Sequence, residues 1–178
     1  MEMSASADGY IVDADGSFAW GEPDAELHRF HNDQVRPLGG HLLGRRLYEV
    51  MSDWETAGDP DPISQDFATI WKALPKVVFS RTLTRVEGTN VTLATRGLAE
   101  ELAALKERVD GDIAIGGATI AAEATRLGLI DEYRVFTYPV AVGGGIPYFP
   151  VDVKLDLELV EDRTFGIGVR YARYRRLR

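Results

Sequence analysis

Hydrophobic and polar positions along this chain switch between two periods. Between Ser64 and Leu74, Phe67, Ile70, Trp71 and Leu74 recur at i, i+3, i+4 and i+7, the spacing of one helical face. Leu98, Leu102, Leu105 and Val109 form a similar stripe and predict a helix over Leu98–Val109. A helix is also predicted over Pro23–Val35, with Leu27, Phe30 and Gln34 facing inward. Asp24 and Glu26 fall in its first turn, where carboxylates favour the positive end of the helix dipole. Further helices are expected over Arg46–Ser52 and over Ala118–Leu127, the latter ended by Gly128. Between them lie short apolar runs read as strands: Glu2–Ala7, Tyr10–Val12, His41–Leu43, Lys76–Ser80, Val91–Ala94, Asp112–Ile115 and Tyr133–Val140. Leu155–Phe165 and Val169–Arg176 alternate and read as a hairpin through Gly166-Ile167-Gly168. Leu155, Leu157 and Leu159 are expected inside on its first strand, Val169 and Tyr171 on its second. Two Asp-Pro steps and a glycine make Thr56–Pro62 a loop. This order predicts an α/β fold: a mixed, mostly parallel sheet flanked by helices on both faces, closing with an antiparallel C-terminal hairpin.

Composition narrows the function. A chain of 178 residues is expected to be one domain, residues 1–178, able to bury a core without disulfides or metals. Its 45% hydrophobic and 27% charged residues are ordinary for a globular protein. The 20 basic and 28 acidic residues give a net charge of −8, which argues against a nucleic-acid partner. There is no cysteine, so thiol chemistry and thiolate metal sites are excluded. The start of the chain has no basic and apolar leader, and no run has the length of a membrane span, so a cytoplasmic protein is expected.

The candidate chemistry sits at strand-to-helix turns, because ligands of parallel α/β sheets bind beyond the carboxyl ends of the strands. Gly44-Arg45-Arg46, Ser80-Arg81-Thr82 and Gly116-Gly117-Ala118-Thr119 each follow a predicted strand. Glycines at a helix start let backbone N–H groups approach a phosphate, and arginines add charge-assisted contacts. Three such turns in an acidic chain suggest an anionic ligand. Each alone is more often simply a tight turn or a solvated arginine. Other patterns are rejected. Gly39–Arg45 has the spacing of a phosphate loop but Arg45 and Arg46 where Lys and Ser/Thr belong. His28 and His31 lack further ligands at a matching spacing, so no metal site is expected.

The same turns carry a family resemblance. Ser6-Ala7-Asp8-Gly9-Tyr10-Ile11, Gly44–Glu49, Lys76–Leu83, Ile115–Ala118, Leu129–Tyr133 and Pro139–Phe149 occur in that order. Together they resemble the dihydrofolate-reductase-like family that includes the reductase domain of the bifunctional riboflavin-biosynthesis deaminase-reductase, in particular its stand-alone bacterial members. The resemblance spans nearly the whole chain. It implies a dihydrofolate-reductase-like sheet, NADPH as cofactor, hydride transfer to a small-molecule substrate, and a homodimer. It puts Gly44 and Arg45 on the turn that holds the cofactor's phosphates, where Arg46 would add a further charge-assisted contact. Ser80, Arg81 and Thr82 fall at the adenosine end, with Arg81 toward the 2′-phosphate, and Gly116, Gly117, Ala118 and Thr119 at the pyrophosphate. Ala7 and Asp8–Ile11 would flank the nicotinamide.

Two departures stand out. Tyr10 takes the place of the lysine usual after Asp-Gly in riboflavin-pathway reductases, which weakens the link to their phosphorylated pyrimidine substrate. The first strand is also short for the family, which implies a truncated strand or a late start. Glu26, with Asp24 two residues earlier, and Asp8 are the carboxylates that would donate a proton to a C=N acceptor, against simpler readings as helix-start charges and a turn residue. Trp20, Trp54 and Phe149 are either pocket walls or core aromatics. The alternatives to a reductase of a heteroaromatic or imine-like substrate are a dimeric nucleotide-binding protein without turnover and a true dihydrofolate reductase.

Overall fold

Consecutive apolar residues that must be covered on both faces make a parallel sheet here. The computed structural model describes residues 1–56, 58 and 60–177. The chain divides into two compact units, Met1–Glu26 with Ala121–Arg178, and the continuous segment Leu27–Ile120. In the second unit, β3 (Gly40–Gly44), β4 (Lys76–Phe79), β5 (Val91–Leu93) and β6 (Ile113–Gly116) form an all-parallel sheet in the order β5-β4-β3-β6. Leu42, Leu43, Val77 and Val78 are each exposed by 2% or less, as expected for strands covered on both sides.

Its helices are built as the pattern implied, with shifted ends. Helix α3 (Pro62–Ala73) starts with Pro62 at its first turn, and Asp61 caps it by accepting from the Ser64 amide at 3.0 Å. Phe67, Ile70, Trp71 and Leu74 are all buried, and Phe67 and Trp71 pack with Leu43 and Val78. Helix α4 (Leu98–Lys106) ends a turn before Val109 because the Arg108 amide tightens onto the Leu105 carbonyl at 3.0 Å. Helix α2 covers Arg45–Met51. The Thr56–Pro62 loop is seen only in part, since Ala57 and Asp59 lie outside the described residues and Pro62 already belongs to α3.

Two further helices cross the boundaries of the units. Helix α1 (Ala25–Val35) buries Leu27 and Asn32. Asn32, not Gln34, is its buried polar residue, and its Nδ2 donates to the Ile63 carbonyl and to Asp66 at 3.0 and 2.8 Å. Helix α5 covers Ala118–Arg126, and Gly128 follows it at φ +70°, the left-handed stop expected of glycine.

In the first unit, β1 (Glu2–Ser6) runs parallel to β7 (Glu132–Tyr138). Strand β7 is antiparallel to β10 (Arg170–Arg176), which pairs antiparallel with β9 (Leu157–Thr164) to form the closing hairpin. Tyr133, Phe136, Val169 and Tyr171 are fully buried in this unit. Strands β2 (Tyr10–Val12) and β8 (Ile146–Pro147) form a separate two-stranded ladder. One expectation fails: Leu159 is 50% exposed. The β9–β10 register slips between Arg173 and Tyr174, with Leu159 opposite Tyr174 and Glu161 opposite Arg173. Val160 is therefore an extra residue, and a bulge of one residue breaks the inside–outside alternation that the sequence suggested.

Candidate functional site

Strand β3 lies between β4 and β6, so the three turns singled out in the sequence leave the same end of one sheet, after adjacent strands. Gly44 is level with Phe79, and Leu43 with Gly116. Glycine is required where the turns meet. Gly117 has φ +103°, and a Cβ there would sit 3.0 Å from the Gly44 nitrogen and 3.1 Å from its Cα. A Cβ on Gly116 would run into Leu47 and lie 3.0 Å from His41 Nε2. Without those methyls, the β6–α5 turn presses directly on the β3–α2 turn. Ala118 and Thr119 open α5, whose first amides have no partner within the helix.

The arginines sit at the heads of these turns. Arg45 and Arg46 begin α2, which has no acidic residue in its first turn and no capping side chain. Arg45 donates to Glu49 at 3.1 Å in an exposed pair. Arg46, Arg81 and Thr82 are exposed. The Ser80 hydroxyl oxygen accepts the Thr82 and Leu83 amides at 3.1 and 2.9 Å, so its part is to fold the turn that carries Arg81. His41, on β3 below Gly116, has its pKa pushed down to about 3 by burial, with the Lys76 charge adding to this. Its Nδ1 is buried without a hydrogen-bond partner.

The remaining predicted residues belong to the first unit or to its share of α1. The Ala7 amide donates to the Val140 carbonyl at 2.7 Å. Asp8 follows in a tight turn, with Gly9 at φ +91°. Its carboxylate accepts from the Ser6 hydroxyl at 2.6 Å and from the Val142 and Gly143 amides at 3.1 and 2.7 Å. The Ser6 bond, followed by these amides, holds its pKa below the ordinary value. Asp8 is thus built as an ionised clasp on the glycine run, an arrangement opposed to proton donation. Glu26 receives a 2.7 Å hydrogen bond from Arg163 Nη2 in an exposed ion pair.

A cleft of about 440 Å³ opens in the first unit, lined by Trp20, Glu22, Pro23, Asp24, Tyr138, Pro139, Val140 and Ile167. The Trp20 and Tyr138 rings meet edge to face with centroids 5.7 Å apart. Trp20 Nε1 and the Tyr138 hydroxyl are both buried without a partner in hydrogen-bonding geometry. Burial raises the Tyr138 pKa; the nearby Ser4 side chain opposes this and the Asp24 charge adds to it. Of the three aromatic residues weighed as pocket walls, Trp20 lines this cleft. Trp54 instead packs on Phe67 at 4.8 Å, and Phe149 on Tyr148 at 4.7 Å. Sequence reasoning read Tyr138 only as a strand residue, because its neighbour Trp20 is too distant in the chain to leave a local signal. Among the described residues, no group of three or more His, Asp or Glu could hold a metal ion, and no helix is long and apolar enough to cross a membrane.

Comparison with known proteins agrees with this architecture. Residues 1–171 match the family model of the RibD C-terminal domain. The chain is 30% identical over 176 residues to the uncharacterized protein YyaP of Bacillus subtilis, covering 95% of this chain and 89% of YyaP. Among solved structures, it is similar to a diaminohydroxyphosphoribosylaminopyrimidine deaminase/5-amino-6-(5-phosphoribosylamino)uracil reductase from Thermotoga maritima. That match has a TM-score of 0.68 at 17% identity and covers 99% of this chain and 55% of the other. Dihydrofolate reductase from Enterococcus faecalis, complexed with NADP(H), aligns with a TM-score of 0.64 at 16% identity, covering 98% and 93%. The parallel sheet, its flanking helices and the closing antiparallel hairpin are thus of the dihydrofolate reductase type, and the chain belongs to the RibD C-terminal domain family, whose fold is that of a reductase.

Proposed function

We propose that the protein is an NADPH-dependent reductase that transfers a hydride to a small heteroaromatic or imine-like substrate in pterin- or riboflavin-related chemistry. The observation that carries this reading is the set of three turns at the carboxyl ends of adjacent parallel strands. The residues present fit a phosphorylated dinucleotide. Gly116 and Gly117 let the β6–α5 turn close against Gly44 and the β3–α2 turn, so the backbone of both turns meets at one end of the sheet. In this reading the backbone of Gly44, Gly116, Gly117, Ala118 and Thr119 holds the pyrophosphate. Arg45 and Arg46 add positive charge, and Arg81, on the turn folded by Ser80 and shared with Thr82, takes the 2′-phosphate. When bound, NADPH would supply the hydride.

In this reading neither Asp8 nor Glu26 is set up to supply the matching proton. Asp8 is held below the ordinary carboxylate range by the Ser6 hydroxyl and then by the amides it clasps, and Glu26 is paired with Arg163. The working unit in this reading is a homodimer, as the family resemblance implies, which light scattering would register as twice the mass of the chain.

The test is a thermal-shift titration with NADPH, NADH and 2′,5′-ADP. A ligand that binds only the folded state raises Tm. The reading expects a rise with NADPH and 2′,5′-ADP and little with NADH. No rise with any of them at millimolar concentration overturns it.

A further inference from the structure

The cleft of the first unit has a chemistry of its own. Its charged lining is Glu22 and Asp24, and no lysine or arginine is among the residues that form it. Pro23, Pro139, Val140 and Ile167 make apolar walls suited to the face of a flat ring. Of the lining residues, Trp20 and Tyr138 hold an indole N–H and a phenol hydroxyl shut away from water with no partner in hydrogen-bonding geometry. A buried donor left unpaired costs free energy, and a ligand that supplies its partner recovers that cost on binding. The Trp20 and Tyr138 rings meet edge to face, with centroids 5.7 Å apart.

We propose that this cleft takes a flat, unphosphorylated heterocycle that carries no negative charge, accepts a hydrogen bond from Trp20 Nε1 and exchanges one with the Tyr138 hydroxyl. The proposal rests on the reductase reading, for which it names the substrate class. It also separates this protein from the Thermotoga reductase, whose name specifies a phosphoribosylamino substrate. A phosphate at this cleft would meet Glu22 and Asp24, the charged side chains of its lining.

The experiment follows the Trp20 indole N–H resonance of ¹⁵N-labelled protein, assigned by its absence in Trp20→Phe. Three probes are titrated without cofactor: cytosine, cytidine and cytidine 5′-monophosphate. The resonance moves with cytosine and cytidine at millimolar concentration, and the monophosphate binds at least roughly tenfold more weakly. Tyr138→Phe keeps or raises Tm, because it removes a buried hydroxyl without a partner, yet weakens cytosine binding by roughly three- to tenfold. The double variant Glu22→Gln/Asp24→Asn narrows the gap between cytidine and its monophosphate. An indole resonance unmoved by cytosine and cytidine, or one that responds equally to the monophosphate in the parent protein, overturns the proposal. Because no cofactor is present, the two readings fail separately. A silent indole beside a normal NADPH shift removes the cleft proposal alone, and a responsive indole without any NADPH shift removes the reductase reading.

Discussion

Gly143 donates its amide hydrogen to the Asp8 carboxylate across 2.7 Å, from a position 135 residues further along the chain. With the Val142 amide on the other oxygen, this bond fastens the glycine run to the turn after β1. Replacing Asp8 by Ala frees both amides, and their hydrogen exchange accelerates by at least roughly tenfold while the β7 amides keep their protection. The clasp is also pH-dependent. The Asp8 pKa is depressed from 3.8, so its contribution is present above that value and is lost as pH falls through the lower folded-state pKa. The difference in Tm between the parent protein and Asp8→Asn is therefore full near neutrality and fades below pH 3.8.

Histidine 41 gives a second pH dependence at higher pH. The folded protein keeps His41 neutral down to about pH 3, whereas the unfolded chain takes up the proton near 6.5. Between those values the unfolded state binds the extra proton, so His41 lowers stability as pH falls, with a slope approaching about 1.4 kcal/mol per pH unit. Urea denaturation from pH 7 to pH 4 should show His41→Leu losing stability less steeply than the parent protein. Parallel slopes would contradict the burial of a neutral imidazole.

The meeting of the two glycine turns predicts intolerance of a single methyl. Gly116→Ala forces its Cβ against Leu47 and the His41 ring, and overpacking of this kind costs about 1–3 kcal/mol. Gly117→Ala adds the strain of a non-glycine residue at φ +103°, again about 1–3 kcal/mol. Both should fall in urea stability and lose the NADPH-induced rise in Tm. Gly143→Ala, whose Cβ would meet no atom within 4 Å, serves as the control for strain without crowding.

Arginine 81 separates the two dinucleotides. Arg81→Ala should weaken NADPH by roughly tenfold, the scale of one charge-assisted hydrogen bond, and leave NADH unchanged. The variant's own Tm should stay within about 1–2 °C of the parent, since Arg81 is exposed. An equal loss for both dinucleotides would assign Arg81 to another part of the cofactor.

The elements that were legible in the sequence are those whose signal is local. Phe67, Ile70, Trp71 and Leu74 declare a helix face by spacing alone, and the Val77-Val78 pair declares a strand covered on both sides. The three turns were legible for the same reason, since glycine and arginine mark a strand end wherever the strand later sits. What stayed hidden depends on partners distant in sequence. Lys76 reads as the start of a strand, yet it is 2% exposed, with its ammonium donating to the Trp71 and Leu74 carbonyls at 2.5 and 3.0 Å. No periodicity announces Val160 as a bulge or Asp8 as a clasp. The same limit applied to Trp20 and Tyr138, whose meeting joins a short 3-10 turn to the end of β7.

The pairing of β1 with β7 has a consequence for synthesis. The nitrogen of Met1 bonds to the carbonyl of Glu132, 131 residues later. At roughly 5–20 residues per second, the ribosome releases that partner on the order of ten seconds after the first strand emerges. The segment Leu27–Ile120 is continuous and can collapse meanwhile as a nascent unit. The first strand must wait outside it with an unpaired edge, exposed to chaperones and to neighbouring nascent chains, until the C-terminal strands arrive.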